Sequence, residues 1–369
     1  MIRILQVVPS LNINSGMMSV VMNYYRKIDR SKVQFDFLYF GEMKDSHQVE
    51  IEKLGGHAYY MKRPTFKPKD QKRLRDFFEM HKGEYTAVHC HPIWSSEVVA
   101  LAAKRSGIRH IIQHAHSTKY SEKRISAARN YLVVKFISFF ATDYIACNDE
   151  AAQLLGKKRA ENGQVYVLPN AIDLQRYAFS ESLRTKIRQE LRIEPETILL
   201  GSVGRLSVEK NQCFIVEMFK VFHERNQNSK LILVGDGALR SRIELKIAEL
   251  GLNDAVIMTG KRTDIRAILS GLDIFIMPSI FEGTPVSAIE ARTSGLPCLL
   301  SDTITKSVDM KGIKFFSIHT PPELWAREAE DLLDANQRLN RHDYSEVAKH
   351  GFDIEAEAIK LQQYYLELR

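Results

Sequence analysis

The sequence predicts an α/β protein made of two doubly wound units. Three observations predict it. Short apolar runs recur along the chain, as strands buried on both faces require. Helical patterns fall between those runs, so strand and helix alternate. At 369 residues the chain is too long for one ordinary core.

In the first half, strands are predicted at 2–8, 35–40, 87–90, 110–113, 144–147 and 165–168. Helices are predicted at 17–28, 95–105, 125–140 and 150–157, with a loop from Pro9 to Gly16. In the second half, strands are predicted at 198–203, 231–234, 256–258, 273–277, 298–300 and 313–316. Helices there begin near Asn211, Ala238, Asp264 and Pro285. Ile354 to Leu368 is helical in pattern and ends the chain. Neither an internal repeat nor a low-complexity segment is visible.

The segment 275–302, FIMPSIFEGTPVSAIEARTSGLPCLLSD, is the most informative. Pro278 ends an apolar strand, Thr284 is placed as an N-cap and Pro285 as the first helical residue. Gly295 and Pro297 mark the helix stop. Glu282 precedes the helix and Glu290 lies within it, while Gly283 admits close approach to the backbone. The helix start offers unpaired N–H groups and a positive dipole end. Carboxylates beside an anion-attracting helix end suit a ligand that is part polyol and part phosphate, such as a sugar nucleotide.

Composition narrows the class. The hydrophobic share of 44% and charged share of 26% are those of a globular protein. Cys90, Cys147, Cys213 and Cys298 are far apart with no CxxC, which predicts free thiols rather than a disulfide or zinc site. The chain enters a strand at once, so no secretory signal is expected, and no apolar run reaches membrane-span length. Residues 1–172 carry 26 Lys/Arg against 16 Asp/Glu, a charge of +10. The whole chain carries +7, so the excess lies in the first half and suggests an anionic partner.

Further motifs follow. GSVGRLSVEKN, 201–211, ends a strand at Val203, turns at Gly204 and presents Arg205 and Lys210. Two fixed cations would stabilise a diphosphate leaving group as its charge develops. Asn14-Ser15-Gly16-Met17 is a small-residue turn into the first helix that can cradle phosphate. LVGDGALR, 233–240, holds a strand-end turn with Gly235 and Gly237. HAHST, 114–118, presents His114 and His116 after one strand, and His89 and His91 end another. The H-x-H spacing evokes a metal, but no carboxylate completes such a site, so none is expected.

Taken in order, these motifs resemble GT-B retaining glycosyltransferases of family 4, group 1. Glu282 and Glu290 match the E-x7-E signature, with Gly283, Ala291, Gly295 and Pro297 in register. Arg205 and Lys210 match G-R-x4-K-N, and TGKRTDI (259–265) matches a segment whose backbone meets the base, with Lys261 and Arg262 nearest. VLPNAIDLQRY (167–177) resembles the hinge, with Ala171 where Gly is usual. Only Gly16 of the usual Gly-Gly pair is kept.

The resemblance implies two Rossmann-like domains facing across a cleft. The N-terminal, glycosyl-acceptor domain would span 1–172 and be joined by the helix 354–369; the nucleotide-sugar domain would span 173–353. It implies metal-independent transfer of a hexose or N-acetylhexosamine from an NDP-sugar, UDP-sugar being favoured. The product class would be capsule or exopolysaccharide, with retention at C1 and no cofactor. Ser15, Gly16, Gly204, Gly235, Gly237, Arg262, Gly283, Thr284 and Val286 would contribute to donor binding. Arg205 and Lys210 would hold the diphosphate, Glu282 the sugar hydroxyls and Glu290 the ribose. His116, with His114 as the alternative, would line the reacting side of the sugar.

The basic segment 61–75, with seven Lys/Arg against Asp70 alone, can lie on an anionic membrane. So can 120–140, where Ile125, Leu132, Phe136 and Phe139 run beside Lys123, Arg124 and Arg129. Solvated loop and core helix are the plain readings of these two segments. The expected partners are the sugar donor, a lipid-linked or saccharide acceptor and an anionic membrane surface, but no nucleic acid. The expected location is cytoplasmic and peripheral, on the inner face of the cytoplasmic membrane. Three alternatives stay open: a nucleotide-sugar 2-epimerase, a non-catalytic partner of a synthase complex, and a basic nucleic-acid- or membrane-binding module.

Overall fold

The computed structural model describes residues 1–368 apart from 14, 42–44, 93–94, 119, 121–123 and 337–339, and only the backbone of 124–126 and 336. Asn14, Lys123 and the side chains of Arg124 and Ile125 therefore lie outside the described residues. The chain forms two compact units, one of 1–171 with 353–369 and one of 172–352.

The N-terminal unit is a seven-stranded sheet. Its strands are β1 (Ile2–Ser10), β2 (Val33–Gly41), β3 (Ala58–Tyr60), β4 (Tyr85–Cys90), β5 (His110–Ala115), β6 (Asp143–Ala146) and β7 (Tyr166–Val167). They lie in the order β3-β2-β1-β4-β5-β6-β7, all parallel. The sequence reading misses β3, a three-residue edge strand too short to show a period. It also misses the helix Pro68–Met80, which Pro68 opens and Leu74 and Phe78 anchor. The basic segment thus ends in a helix and not in a loop.

The last helix, Ile354–Glu367, packs in this unit beside the first helix, Gly16–Lys27. Its Tyr365 is fully buried and meets the Phe35 ring edge-on at 5.7 Å.

The C-terminal unit is a six-stranded parallel sheet. Its strands are β8 (Ile198–Val203), β9 (Ser229–Val234), β10 (Val256–Gly260), β11 (Ile274–Met277), β12 (Cys298–Ser301) and β13 (Ile313–Phe316), in the order β10-β9-β8-β11-β12-β13. Two apolar layers cover its faces. One gathers Leu199, Phe275 and Ile289; the other gathers Phe219, Phe222 and Trp325. Asp273, just before β11, accepts from Arg184 at 2.7 Å, Arg188 at 3.2 Å and the Leu199 N–H at 2.7 Å. This ties the helix Glu181–Glu190, which sequence periodicity does not show, to the centre of the sheet.

In each sheet the strand order reverses once, between β1 and β4 and between β8 and β11. Loops leaving the carboxyl ends of those strands part to opposite faces and open a crevice there, where ligands of open α/β sheets bind. Cys90, Cys147 and Cys298 are buried, Cys213 is half-buried, and all four are free. No helix among the described residues is long and apolar enough to cross a membrane.

Phe275 is fully buried in a central strand. Phe275→Ala is expected to cost about 3–5 kcal/mol through lost burial and the cavity left behind. Urea unfolding followed by circular dichroism measures it; a loss below about 1 kcal/mol would contradict this packing.

Candidate active site

The reversal point of the C-terminal sheet collects most of the predicted site. Gly204 and Arg205 follow β8, Lys210 ends the one-turn helix 208–210, and Glu282 lies in the loop after β11. Their loops are tied together by backbone. The Ile280 N–H donates to Glu209 O at 2.8 Å, and Glu282 forms a parallel bridge with Ile304. Lys210 Nζ and Glu282 Oε1 form a direct ion pair. Ser279 donates to the same carboxylate oxygen at 3.1 Å. A cation and a carboxylate, held together and only partly exposed, thus stand at the mouth of the crevice. Arg205 is exposed beside them.

The neighbouring turn is a backbone match. A Cβ on Gly235 would lie 1.9 Å from Gly204 O, and one on Gly237 would lie 2.3 Å from Leu206 O. These glycines let the loop after β9 press against the loop that carries Arg205. Their first requirement is to shape that loop.

The helix Val286–Thr293 starts one residue later than the sequence predicts. Its N-cap is Pro285, which supplies no side-chain hydrogen bond, and Thr284 precedes it. Val286 is the first helical residue. Pro285 has no side-chain oxygen to offer as a cap, and a helix start is where anionic or hydroxylic ligands are received. Glu290 sits on the fifth residue of this helix.

In the N-terminal unit, Ser15 caps the first helix, its hydroxyl accepting from the Met18 N–H at 3.4 Å. A Cβ on Gly16 would meet nothing within 4 Å. Packing therefore does not demand glycine there, and open space beside a helix N-terminus is what a phosphate needs.

His89 and His91, at the end of β4, and His114 and His116, at the end of β5, form one cluster. Ring centroids are 4.3 Å apart for His89 and His91, and 3.8 Å for His114 and His116. His89 Nε2 lies 3.1 Å from His114 Nδ1, and His91 Nδ1 lies 2.7 Å from His116 Nε2. Burial keeps all four neutral: it pushes His89 down to about 3 and His116 to about 4, and His91 and His114 lie well below their ordinary value. Ring nitrogens of His89, His91 and His114 come within 4.8 Å of one another.

The comparisons with known proteins follow this geometry. Glycosyltransferase Family 4 matches residues 15–176, and Glycosyl transferases group 1 matches residues 184–350. A protein of Bacillus subtilis (strain 168) named "Putative glycosyltransferase EpsF" is 31% identical over 96% of this chain and 93% of its own length. The chain belongs to the family 4 glycosyltransferases.

A second relative is the UDP-Gal:alpha-D-GlcNAc-diphosphoundecaprenol alpha-1,3-galactosyltransferase of Escherichia coli, 27% identical over 63% of this chain and 62% of that one. Among solved structures, Anabaena HepE in complex with UDP superposes with a TM-score of 0.78 at 17% identity, covering 100% of both chains. The fold is GT-B, with two parallel-sheet Rossmann-like domains.

Several residues of this glycosyltransferase's site carry no motif. Gln212 is buried and staples the Arg205 loop, donating to Arg205 O at 2.8 Å and accepting from the Ser207 N–H at 3.3 Å. Ser279 steadies Glu282. Gln6 and Tyr365 contact the histidines. A lone Gln or Ser in a sequence gives no signal for such roles; a polar residue inside the apolar strand IRILQVV is the nearest thing to one.

Arg262, expected nearest the base, has its side chain engaged within the unit. Its guanidinium donates to both oxygens of Asp264, at 2.8 and 2.6 Å, and to Glu190 at 2.8 Å. It fastens the start of the helix Ile265–Gly271.

Glu290 of this enzyme is pushed up to about 7, mainly by desolvation and against the opposing hydrogen bond from Tyr177. A carboxyl raised in the fold stays protonated while the unfolded chain ionises. Glu290 therefore costs the free protein stability as pH rises from about 4.5 to about 7, and the loss is complete above that. Glu290→Gln removes this slope. The melting temperature of Glu290→Gln minus that of wild type is expected to grow between pH 5 and pH 7.5; a constant difference would contradict the raised carboxyl.

Proposed function

We propose that this enzyme transfers a hexose or N-acetylhexosamine from a UDP-sugar to a lipid-linked or oligosaccharide acceptor, with retention at C1, in cell-surface polysaccharide assembly. The observation that carries the reading is the Lys210–Glu282 pair at the reversal point of the second sheet, with Arg205 beside it and the start of the helix Val286–Thr293 next to it. Diphosphate and sugar hydroxyls are the two ligand parts that this pair can serve at once. HepE, of the same fold, has been captured with UDP and with UDP-glucose. The Escherichia coli relative names a diphosphoundecaprenol acceptor.

The reaction we infer uses no covalent enzyme intermediate. The acceptor hydroxyl oxygen bonds to C1 on the side from which the diphosphate leaves, and the C1–O bond to the β-phosphate breaks. The hydroxyl proton passes to the departing phosphate oxygen. Arg205 and Lys210 hold the charge that grows on the diphosphate, and they act more strongly on the transition state than on the bound donor. Glu282 holds sugar hydroxyls, helped by N–H groups of 283–287. Glu290 holds the ribose hydroxyls as a carboxylate, which needs the proton it carries below about 7 to be lost. His116 lines the sugar. In this reading fixed cations, carboxylates, backbone N–H groups and a neutral imidazole fill these roles without a resident metal or cofactor.

The 2-epimerase alternative needs carboxylates in the N-terminal unit. The partners that the His89–His116 cluster shows are Gln6 and Tyr365, neither of them acidic.

The anionic membrane surface also enters as a proposal. Leu132 and Phe136, on the helix Arg124–Ile137, and Phe139 just beyond it are 66%, 41% and 83% exposed, while Val134 and Ile137 are buried. The helix thus has a core face and a second apolar face turned to solvent. Phe66 extends that face, its ring edge-on to Phe136 at 5.9 Å, and brings the exposed Lys62, Lys67, Lys69 and Lys72 beside it. Exposed rings flanked by lysines suit a headgroup layer, on the inner face of the cytoplasmic membrane.

Two outcomes are expected. Lys210→Ala should lower turnover by about 10²–10³-fold with the fold intact, as loss of one fixed charge-stabilising group does. A melting-temperature shift with a UDP-sugar should vanish in Arg205→Ala. Full turnover in Lys210→Ala, or an unchanged shift in Arg205→Ala, would refute the diphosphate assignment. Separately, wild type should co-sediment with phosphatidylglycerol vesicles, less so in high salt, and Leu132→Glu with Phe136→Glu should abolish it. Equal sedimentation of the double variant would refute the membrane face.

A further inference from the structure

We infer that Gln6 is a positioning residue that fixes the tautomers of the four clustered histidines, and so decides which atoms His114 and His116 present to a sugar. Only the word sugar rests on the function proposed above. The tautomers follow from hydrogen bonds inside the N-terminal unit.

Gln6 is 1% exposed on β1, beside His89 of β4. Its carbonyl oxygen can only accept, and it lies 2.7 Å from His91 Nε2. His91 therefore carries its proton on Nε2 and holds a lone pair on Nδ1. That lone pair faces His116 Nε2 at 2.7 Å, so His116 donates from Nε2. His116 Nδ1 is left as a lone pair.

The amide nitrogen of Gln6 runs a second arm. It donates to the Tyr365 hydroxyl at 3.2 Å. Tyr365 donates in turn to His89 Nδ1 at 2.6 Å. His89 then carries its proton on Nε2 and donates to His114 Nδ1 at 3.1 Å. His114 is thereby protonated on Nε2, an atom that is buried and has no partner.

One amide thus sets all four imidazoles as Nε2–H. The two arms end on unlike atoms, an accepting Nδ1 on His116 and a donating Nε2–H on His114. Both residues line a cavity with Pro92, Gln113 and Tyr120. A hydroxyl group donates and accepts at once, so a donor and an acceptor two residues apart at a strand end suit one hydroxylic group seated in this small cavity. Burial supports the arrangement by keeping the rings neutral. The same accounting opposes a cation among the three neighbouring rings: the lone pairs of His89, His91 and His114 each already accept a hydrogen bond.

The test is long-range ¹H–¹⁵N NMR of the full chain with ¹⁵N-labelled histidine, assigned through single His→Gln variants. Wild type should show His89, His91, His114 and His116 all as Nε2–H. Gln6→Glu places acceptors on both sides, so Tyr365 must turn its hydroxyl toward residue 6. His89 and His114 should then switch to Nδ1–H while His91 and His116 do not. Should Gln6→Glu fail to fold, Tyr365→Phe is read instead: it should release the His89–His114 arm and leave the other unchanged. A wild-type His91 or His116 protonated on Nδ1, or a folded Gln6→Glu with no switch, would overturn the inference. So would a cobalt(II) absorption band that requires His89 and His91. None of these readouts depends on turnover, so their failure is distinguishable from failure of the transferase reading, which donor binding tests.

Discussion

The candidate sites of this chain depend on one constraint of parallel sheets: strand order must reverse somewhere, and the loops part where it does. The first sheet reverses between β1 and β4, the second between β8 and β11. Ser15 and Gly16 follow β1, and the histidines end β4 and its neighbour β5. Gly204, Arg205 and Lys210 follow β8, and Glu282 follows β11. These positions are far apart in sequence and unrelated in residue type. The topology alone explains why each falls where a crevice opens.

The crevice of the second unit is shaped by backbone packing and charged by one ion pair. Gly235 and Gly237 let two loops touch main chain to main chain, and Gln212 fixes the result from beneath. Lys210 then rests on Glu282. A partly buried lysine beside exposed Arg205 would otherwise repel its neighbour and pay for lost hydration. The carboxylate offsets both in the free protein.

Legibility in the sequence followed the length scale of the signal. All strands of the second sheet were readable because buried parallel strands are short, apolar and separated by helices. β3 was not, since three residues at a sheet edge carry no period. The helix Pro68–Met80 was hidden by its charge: lysines and arginines masked the spacing of Leu74 and Phe78. Glu282, Lys210 and Arg205 stand out in the sequence through their motif spacing, and the structure brings the first two into contact. The Thr284 cap fell one residue early because Pro285 can serve as N-cap or as first helical residue. That Asp264 and Glu190 hold the guanidinium of Arg262 is not legible in a sequence, because Glu190 lies 72 positions away.

Gln6 marks the limit of such reading from the other side. Inside IRILQVV it looks like a polar interruption of a strand, and local physics alone would count it as a cost. The cost is recovered only through residues 85 and 359 positions further on, His91 and Tyr365. The helix Ile354–Glu367 that supplies Tyr365 packs in the first unit. The tautomers of the histidines therefore depend on a helix remote in sequence from the strands that carry the rings. A catalytic-domain motif such as H-x-H states which ring types are present; only the finished unit states which of their nitrogens holds a proton.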